Sequence, residues 1–477
     1  MRDPRRRRPG DRIVRRTFSH PIQLPEVARK LPRPSKPPPL FLLFYVYAAA
    51  IAIGTALLVM PIANEQGGTT PFMDAFFTAA SATTVTGLVV ADTATYWSGF
   101  GKAVIVIMIQ VGGLGVMTAT SLLFIFLGRR LGLRERLAMR GDTSALTVGG
   151  IVRLVRQIAK VVLVVEVLGF IAFTLRFSQD FAWPTAMWHG FFHSISAFNN
   201  AGFVVLPGQG LGAYQSDPSV LLITAAMIMA GGISVLVIAD VIGKRSFARL
   251  TLDSKMVISM SLALWTFAML LYLALEYSNA SSLGPLDMPG KLLNSFFHAV
   301  SGRTAGFFTI SFGGLEQSTL MLFLGLMLIG GTSASTTGGI KVSTLGAVLS
   351  FVWSAVRGRP RAEAFRRRLP SEQVAAAVTL MMLALGMAFL VVVVLAAIED
   401  EALAKFGFIG LLFETASALG TAGNSTGVTS SLSIAGQVVI IVTMVVGKVG
   451  PPTLILALSR RVSRADYRYA EEHVRIG

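Results

Sequence analysis

The chain has 477 residues, of which 53% are apolar and 14% charged, and its mean hydropathy is +0.65. A water-soluble domain of that length needs more charge to cover its surface, so the composition excludes an ordinary globular protein and points to a membrane one. Cysteine is absent, which removes disulfides, thiolate catalysis and cysteine-based metal sites.

In chain order, residues 1–39 are a polar, Arg- and Pro-rich arm containing Arg2, Arg5 to Arg8, Arg15 and Arg16. It has no small-residue cleavage site after a short apolar core and reads as an arm, not a leader. The net charge of +17 is concentrated in this arm, in the connections 129–160, 244–255 and 357–368, and in the tail 460–477. The intervening connections carry acids instead, among them Asp92, Asp180, Asp217, Glu276, Glu316 and Glu399. That alternation obeys the positive-inside rule and places both termini and three connections in the cytoplasm. Basic charge also attracts nucleic acid, but the arm lacks aromatic residues placed for base stacking. For the arm, contact with anionic membrane lipid and contact with a regulatory partner are equal expectations.

The basic blocks cut the chain into four units: 40–128, 150–243, 255–356 and 373–459. Each reads as a long apolar helix, a half-length helix ending in a glycine signature, and a second long helix. The signatures are FFTAASATTVTGL (76–88), FFHSISAFNNAGF (191–203), FFHAVSGRTAGF (296–307) and LFETASALGTAG (412–423). A half-length helix cannot cross a bilayer, so it dips in and returns, which is tolerated where it lines a watery cavity. The expectation is an all-α polytopic membrane protein. Eight spanning helices and four re-entrant pore loops surround a single pseudo-fourfold pore.

Glycine adopts at little cost the backbone angles that such turns need. Carbonyls of several turns can replace a cation's hydration shell, and the negative ends of the half-helices favour a cation beside them. The expected cation-binding carbonyls belong to Thr84, Val85, Thr86 and Gly87, to Asn200, Ala201 and Gly202, to Thr304, Ala305 and Gly306, and to Thr421, Ala422 and Gly423. Small residues also serve helix packing in membranes. Four copies at one place in four units favour the ion-binding reading.

The third unit contains a second feature, GGTSASTTGGIK (330–341). Each glycine costs a helix about 1 kcal/mol, so the segment is expected to unwind below the glycine turns and obstruct the pore. Lys341 at its end either anchors it or faces the pore. Arg303, before the third turn, and Glu414, taken to open the fourth half-helix, are assigned to bracing the filter. His193 and His298 occupy equivalent places and are read as hydrogen-bonded packing residues. Asp240 is expected to pair with a nearby Lys or Arg. Glu166 is the one midplane carboxylate that an ion-coupled secondary cation carrier could use, which is the alternative function. No Ser/Lys, paired-Asp or His/Glu constellation suggests an intramembrane enzyme.

Taken together, ATTVTGLVVADT (82–93), QVGGLGVMT (110–118), FHSISAFNNAGF (192–203), RTAGF (303–307), GGTSASTTGGIK, FETASALGTAG (413–423) and GKVGPPT (447–453) resemble the membrane subunit of Ktr-type potassium transporters, in the Trk/Ktr/HKT superfamily. The resemblance covers about 40–460. It implies K+ as the transported ion, uptake across a bacterial inner membrane, and a homodimer. It also implies a cytoplasmic regulatory ring of RCK/KTN type that binds the nucleotide (ATP/ADP or NAD), and leaves room for Na+ as an activator. It makes Gly330, Gly331, Thr332, Ser333, Ser335, Thr336, Gly338, Gly339 and Lys341 a gating loop. Lys448 stands where the family commonly has an arginine facing the cavity as an electrostatic barrier. Gly87 is retained where some sodium-preferring relatives have serine. Ser234, Thr337, Asn424 and Ser425 depart from the family pattern.

Overall fold

The computed structural model describes residues 42–128, 148–208 and 210–460. The basic arm (1–39), the connection 129–147 and the tail after residue 460 lie outside the described residues. The helices are α1 Leu42–Leu58, α2 Phe72–Thr84, α3 Gly99–Gly128, α4 Val148–Phe177, α5 Trp183–Asn199, α6 Pro218–Gly232, α7 Val235–Lys244, α8 Leu252–Glu276, α9 Met288–Thr304, α10 Gln317–Met327, α11 Val342–Val356, α12 Ser371–Ile398, α13 Asp400–Gly420 and α14 Ile434–Arg460. A two-stranded hairpin, β1 Glu363–Ala364 with β2 Arg367–Arg368, joins α11 to α12.

Among the described residues, five helices are long and apolar enough to cross a membrane, or six if α6 and α7 count as one span bent by 96°. Four of the eight expected spans, α3, α4, α8 and α12, are among them; α1 and α14 enter with residues 44–58 and 434–450 alone, and the other two are broken for local reasons. The second apolar segment of the third unit is cut into α10 and α11, of 11 and 15 residues, by the glycine-rich stretch between them. The second apolar helix of the second unit is likewise broken, where Ile233 adopts an extended conformation and the Ser234 hydroxyl accepts the Leu236 amide as a new N-cap. α1 is described over 17 residues. One of the five, α13, is itself interrupted: Gly407 has φ 69° and ψ 176°, so its second half is a separate short helix.

Burial divides the helices into two kinds. α12 has a mean hydropathy of 2.9, yet only 22% of its most apolar window is buried. A helix apolar on every face with most of that surface uncovered is suited to lipid. The short helices are the opposite. Phe77, Phe192, Phe297 and Phe413, one in each signature, are all 0% exposed. They anchor α2, α5, α9 and the end of α13 in the core, so the four glycines meet at its centre.

Candidate ion pathway

The four signature glycines form a closed ring. A Cβ added to Gly87 would lie 2.4 Å from the Ala201 carbonyl oxygen, and one on Gly202 would lie 2.7 Å from that of Ala305. One on Gly306 would lie 2.8 Å from the Ala422 oxygen, and one on Gly423 would lie 2.1 Å from that of Thr86. Each glycine thus faces the carbonyl that precedes the next glycine, and the fourth returns to the first. All four have positive φ (94°, 71°, 73° and 82°), where an L side chain is disfavoured even without the contact. The sequence reading placed one glycine in each turn for its backbone angles; the ring adds a second reason, a neighbouring carbonyl where a side chain would be.

Three of the four helices end alike. Val85, Asn200 and Thr421 adopt the left-handed conformation, with φ of 55°, 60° and 49°. In each, the following amide reaches back to a helix carbonyl: Thr86 to Ser81, Ala201 to Ser196 and Ala422 to Ser417, at 2.8, 2.8 and 2.9 Å. This is the Schellman pattern, made here by non-glycine residues. The third copy differs because it is one residue shorter. Ser301 precedes its glycine by five positions, against six for Ser81, Ser196 and Ser417. The helix therefore runs on to Thr304, and Ala305 leaves with φ −123°.

Side chains brace the ring from behind. The Gly87 amide donates to Ser81 Oγ at 3.1 Å, whereas Ser196 and Ser301 hydroxyls donate to the carbonyls of Phe203 and Phe307 at 2.8 and 2.6 Å. Asn200 joins four elements. Its Nδ2 reaches the Phe198 and Ile228 carbonyls and Thr336 Oγ1, and its Oδ1 accepts the Thr304 hydroxyl at 2.9 Å. Asn424, noted in the sequence only as a departure, is fully buried and donates to the Gly302 carbonyl at 2.7 Å, tying the fourth turn to the third helix.

The two residues assigned to bracing have different surroundings. Glu414 lies between the Gly407 break and the helix end at Gly420. Contrary to the expectation from sequence, it does not open the fourth half-helix, because that half begins at the Gly407 break. Its carboxylate accepts the hydroxyls of Ser425 and Thr429, in the segment after the fourth glycine. Arg303 is buried with its guanidinium 5.2 Å from the Trp265 ring.

On one side of the ring is a vestibule of about 490 Å³ bordered by Gly87, Gly202, Gly306, Gly423 and Asp92. Against the ring also lies the irregular segment 328–341. Gly330 and Ile340 amides pair with the Ile340 and Leu328 carbonyls, closing the segment on itself. Thr332 and Thr336 amides donate to the Gly232 and Gly231 carbonyls, and Thr332 Oγ1 accepts the Ser234 amide at 2.6 Å, so the segment is stitched to the break between α6 and α7. The Gly338 amide donates to Thr421 Oγ1 at 3.1 Å, reaching the fourth turn. Thr337 Oγ1 accepts the Gly331 amide at 2.8 Å, so this hydroxyl has a specific bond within the segment. Lys341 Nζ donates to the Thr337 and Gly338 carbonyls, which makes it an anchor within the segment. Lys448 Nζ, from α14, donates to the Thr336 carbonyl at 2.5 Å. Ser333 Oγ is within 3.2 Å of Ser343 Oγ, and Ser335 Oγ donates to the Thr332 carbonyl.

The remaining titratable candidates are packed. His193 Nδ1 lies 3.2 Å from the His189 carbonyl oxygen. His298 Nε2 is 3.1 Å from Thr309 Oγ1, and its ring stacks on Tyr272 at 5.2 Å. Asp240 pairs with Lys244 at 2.5 Å. Glu166 accepts Gln110 Nε2 at 3.0 Å and Asn199 Nδ2 at 3.3 Å, directly behind the second turn.

A family model for the TrkH cation transport proteins matches residues 48–466, and the chain belongs to that family. The Ktr system potassium uptake protein B of Bacillus subtilis is 37% identical over 427 residues, which is 90% of this chain and 94% of that protein. The potassium/sodium uptake protein NtpJ of Enterococcus hirae is 34% identical over 429 residues, again 90% and 94% of the two chains. The crystal structure of the potassium transporter TrkH from Vibrio parahaemolyticus has the same fold, with a TM-score of 0.68 at 19% identity over 90% of this chain and 86% of that one.

Proposed function

We propose that this chain takes up potassium across a bacterial inner membrane through a single pore built from four helix–pore-helix–helix units. The observation that carries the proposal is the closed glycine ring, in which each turn sets its backbone against the carbonyl of the next. Carbonyls arranged around one axis dehydrate a cation without a carboxylate in its path. The helix carbonyl ends at Thr84, Asn199, Thr304 and Gly420 add a negative potential at the same place. The proteins it resembles are named for potassium uptake, one for potassium and sodium, which supports K+ as the ion and keeps Na+ as an activator.

The segment 330–341 is the gate: it crosses beneath the ring, and its bonds to Ser234, Thr421 and Lys448 hold it there. A homodimer under a cytoplasmic ring of RCK/KTN type, which holds the nucleotide, completes the system. That a relative is named as protein B of a Ktr system supports a partner component. The alternation of basic and acidic connections supports cytoplasmic termini.

The test is growth at low potassium of a bacterium stripped of its own uptake systems, with the native chain or Gly87→Ser, each with and without a regulatory subunit. Rescue by the native chain that is lost or becomes sodium-leaky with Gly87→Ser supports the reading. Absence of rescue by a membrane-inserted chain with its partner present rejects it.

A further inference from the structure

The geometry points to a binding site for the phosphate of an anionic phospholipid in the arginine pocket between α11 and the β1–β2 hairpin. This pocket encloses about 900 Å³. It is bordered by Arg357, Arg359, Arg366, Arg367 and Arg368 and by the single carboxylate of Glu363, so five positive charges less one negative leave +4. Arg359 and Arg368 share that carboxylate, at 3.0 and 3.4 Å. Among the described residues, Arg366 and Arg367 have no ionic partner. Free guanidinium groups on a fixed frame select phosphate, which they bind in a bidentate manner.

The frame is held at a cost. The hairpin turns through Phe365 and Arg366 with φ of 48° and 61°, a turn in which Asn-Gly is the favoured pair. Two non-glycine residues in this conformation mark a segment fixed by its surroundings, as ligand clamps often are. Phe365 packs edge-on against Phe247 at 6.0 Å, which secures the tip.

The occupant is identified by the opposite wall. Leu349, Val352 and Trp353 line it from α11 and are exposed, Trp353 by 58%; Val356, three positions on and outside the lining, is 77% exposed. Arg357 lies over the Trp353 ring at 4.5 Å, at the end of this apolar helix. Arginines next to an uncovered apolar helix face with a boundary tryptophan match a lipid, head to the arginines and chain along α11. A free phosphate has no use for the apolar wall. The inference rests on the membrane reading of α11, and not on the identity of the transported ion.

The test is native mass spectrometry of the purified full chain in neutral detergent, titrated with dioleoylphosphatidylglycerol or dioleoylphosphatidylcholine. The expected result is one phosphatidylglycerol held per chain at least tenfold more tightly than phosphatidylcholine, and not displaced by millimolar inorganic phosphate. Arg366→Gln with Arg367→Gln should weaken it about tenfold or more, Trp353→Ala should weaken it without changing charge, and Glu363→Gln should strengthen it by freeing Arg359 and Arg368. Thermal midpoints establish that each variant is folded, and a single Arg366→Gln replaces the double variant if that one is not. Equal retention of the two lipids, or unchanged retention in every variant, overturns the site. So does displacement by inorganic phosphate, or loss of regulatory-subunit assembly in the arginine variants with lipid retention unaltered, which would assign the pocket to a protein. The growth assay is separate, so a chain that fails here and still transports leaves the pore proposal standing.

Discussion

Lys448 and Thr336 are 112 positions apart in the chain, and the lysine ammonium donates to the threonine carbonyl at 2.5 Å in the buried centre of the molecule. This bond joins the last helix to the segment beneath the glycine ring. Lysine offers a compact point charge without arginine's planar fork, and one strong bond to a carbonyl is what it makes here.

Replacement of Lys448 by Gln is expected to release the segment. A hydrogen bond to a charged group contributes about 2 kcal/mol, enough to shift a closed–open balance roughly 30-fold. Rubidium uptake into vesicles without any regulatory subunit should rise by about an order of magnitude, while Lys448→Arg should remain near the native rate. Native rates for Lys448→Gln would mean that this bond does not hold the gate.

Substitutions of the ring glycines should rank by the space available. A Cβ at Gly423 would approach the Thr86 oxygen to 2.1 Å, while at Gly306 the approach to Ala422 is 2.8 Å. Backbone is hard to move, so Gly423→Ala is expected to abolish uptake and Gly306→Ala to leave a reduced, less selective flux. Potassium and sodium uptake measured side by side decides this; the reverse ranking would contradict the ring geometry.

Thr304→Val removes the hydroxyl that donates to Asn200 Oδ1 and leaves a buried acceptor unsatisfied. The expected cost is about 1–3 kcal/mol. The readout is a lower thermal midpoint together with a reduced potassium-to-sodium preference, since Asn200 also reaches Thr336.

Asn424→Leu strands the Gly302 carbonyl. This variant should be less stable than the native chain by about 1–3 kcal/mol, measured by thermal unfolding in detergent. A gain in stability would show that the bond is replaceable.

Glu166→Gln separates a pore from an ion-coupled carrier. Glu166 is held by Gln110 and Asn199 behind the second turn. In a pore it braces the wall, so its replacement should alter the rate by no more than a few-fold. In a carrier that uses this carboxylate, uptake should vanish.

Composition, the four glycine signatures and the alternation of charge were enough to specify a membrane protein and to locate four turns, because each is a local or periodic property of the chain. The unwinding at 330–341 was legible for the same reason: glycine acts through the backbone of its own residue. Glu414 was misplaced at a helix start because the break at Gly407 depends on an unusual backbone angle that the run of apolar residues conceals. The break between α6 and α7 was not anticipated either, since Ser234 becomes an N-cap only where Ile233 leaves the helix.

What the sequence determined by itself is therefore the set of residues that matter along the chain, where each acts through its own conformation or periodicity. Only the tertiary structure decided which of them meet. The direction of the ring, Gly87 to Ala201 and onward to Gly423 against Thr86, depends on packing of four distant helices. So do the Asn200–Thr304, Asn424–Gly302 and Lys448–Thr336 bonds, whose partners are 104, 122 and 112 residues apart. A lone polar residue in an apolar run has many potential partners, and burial in one fold is what selects among them.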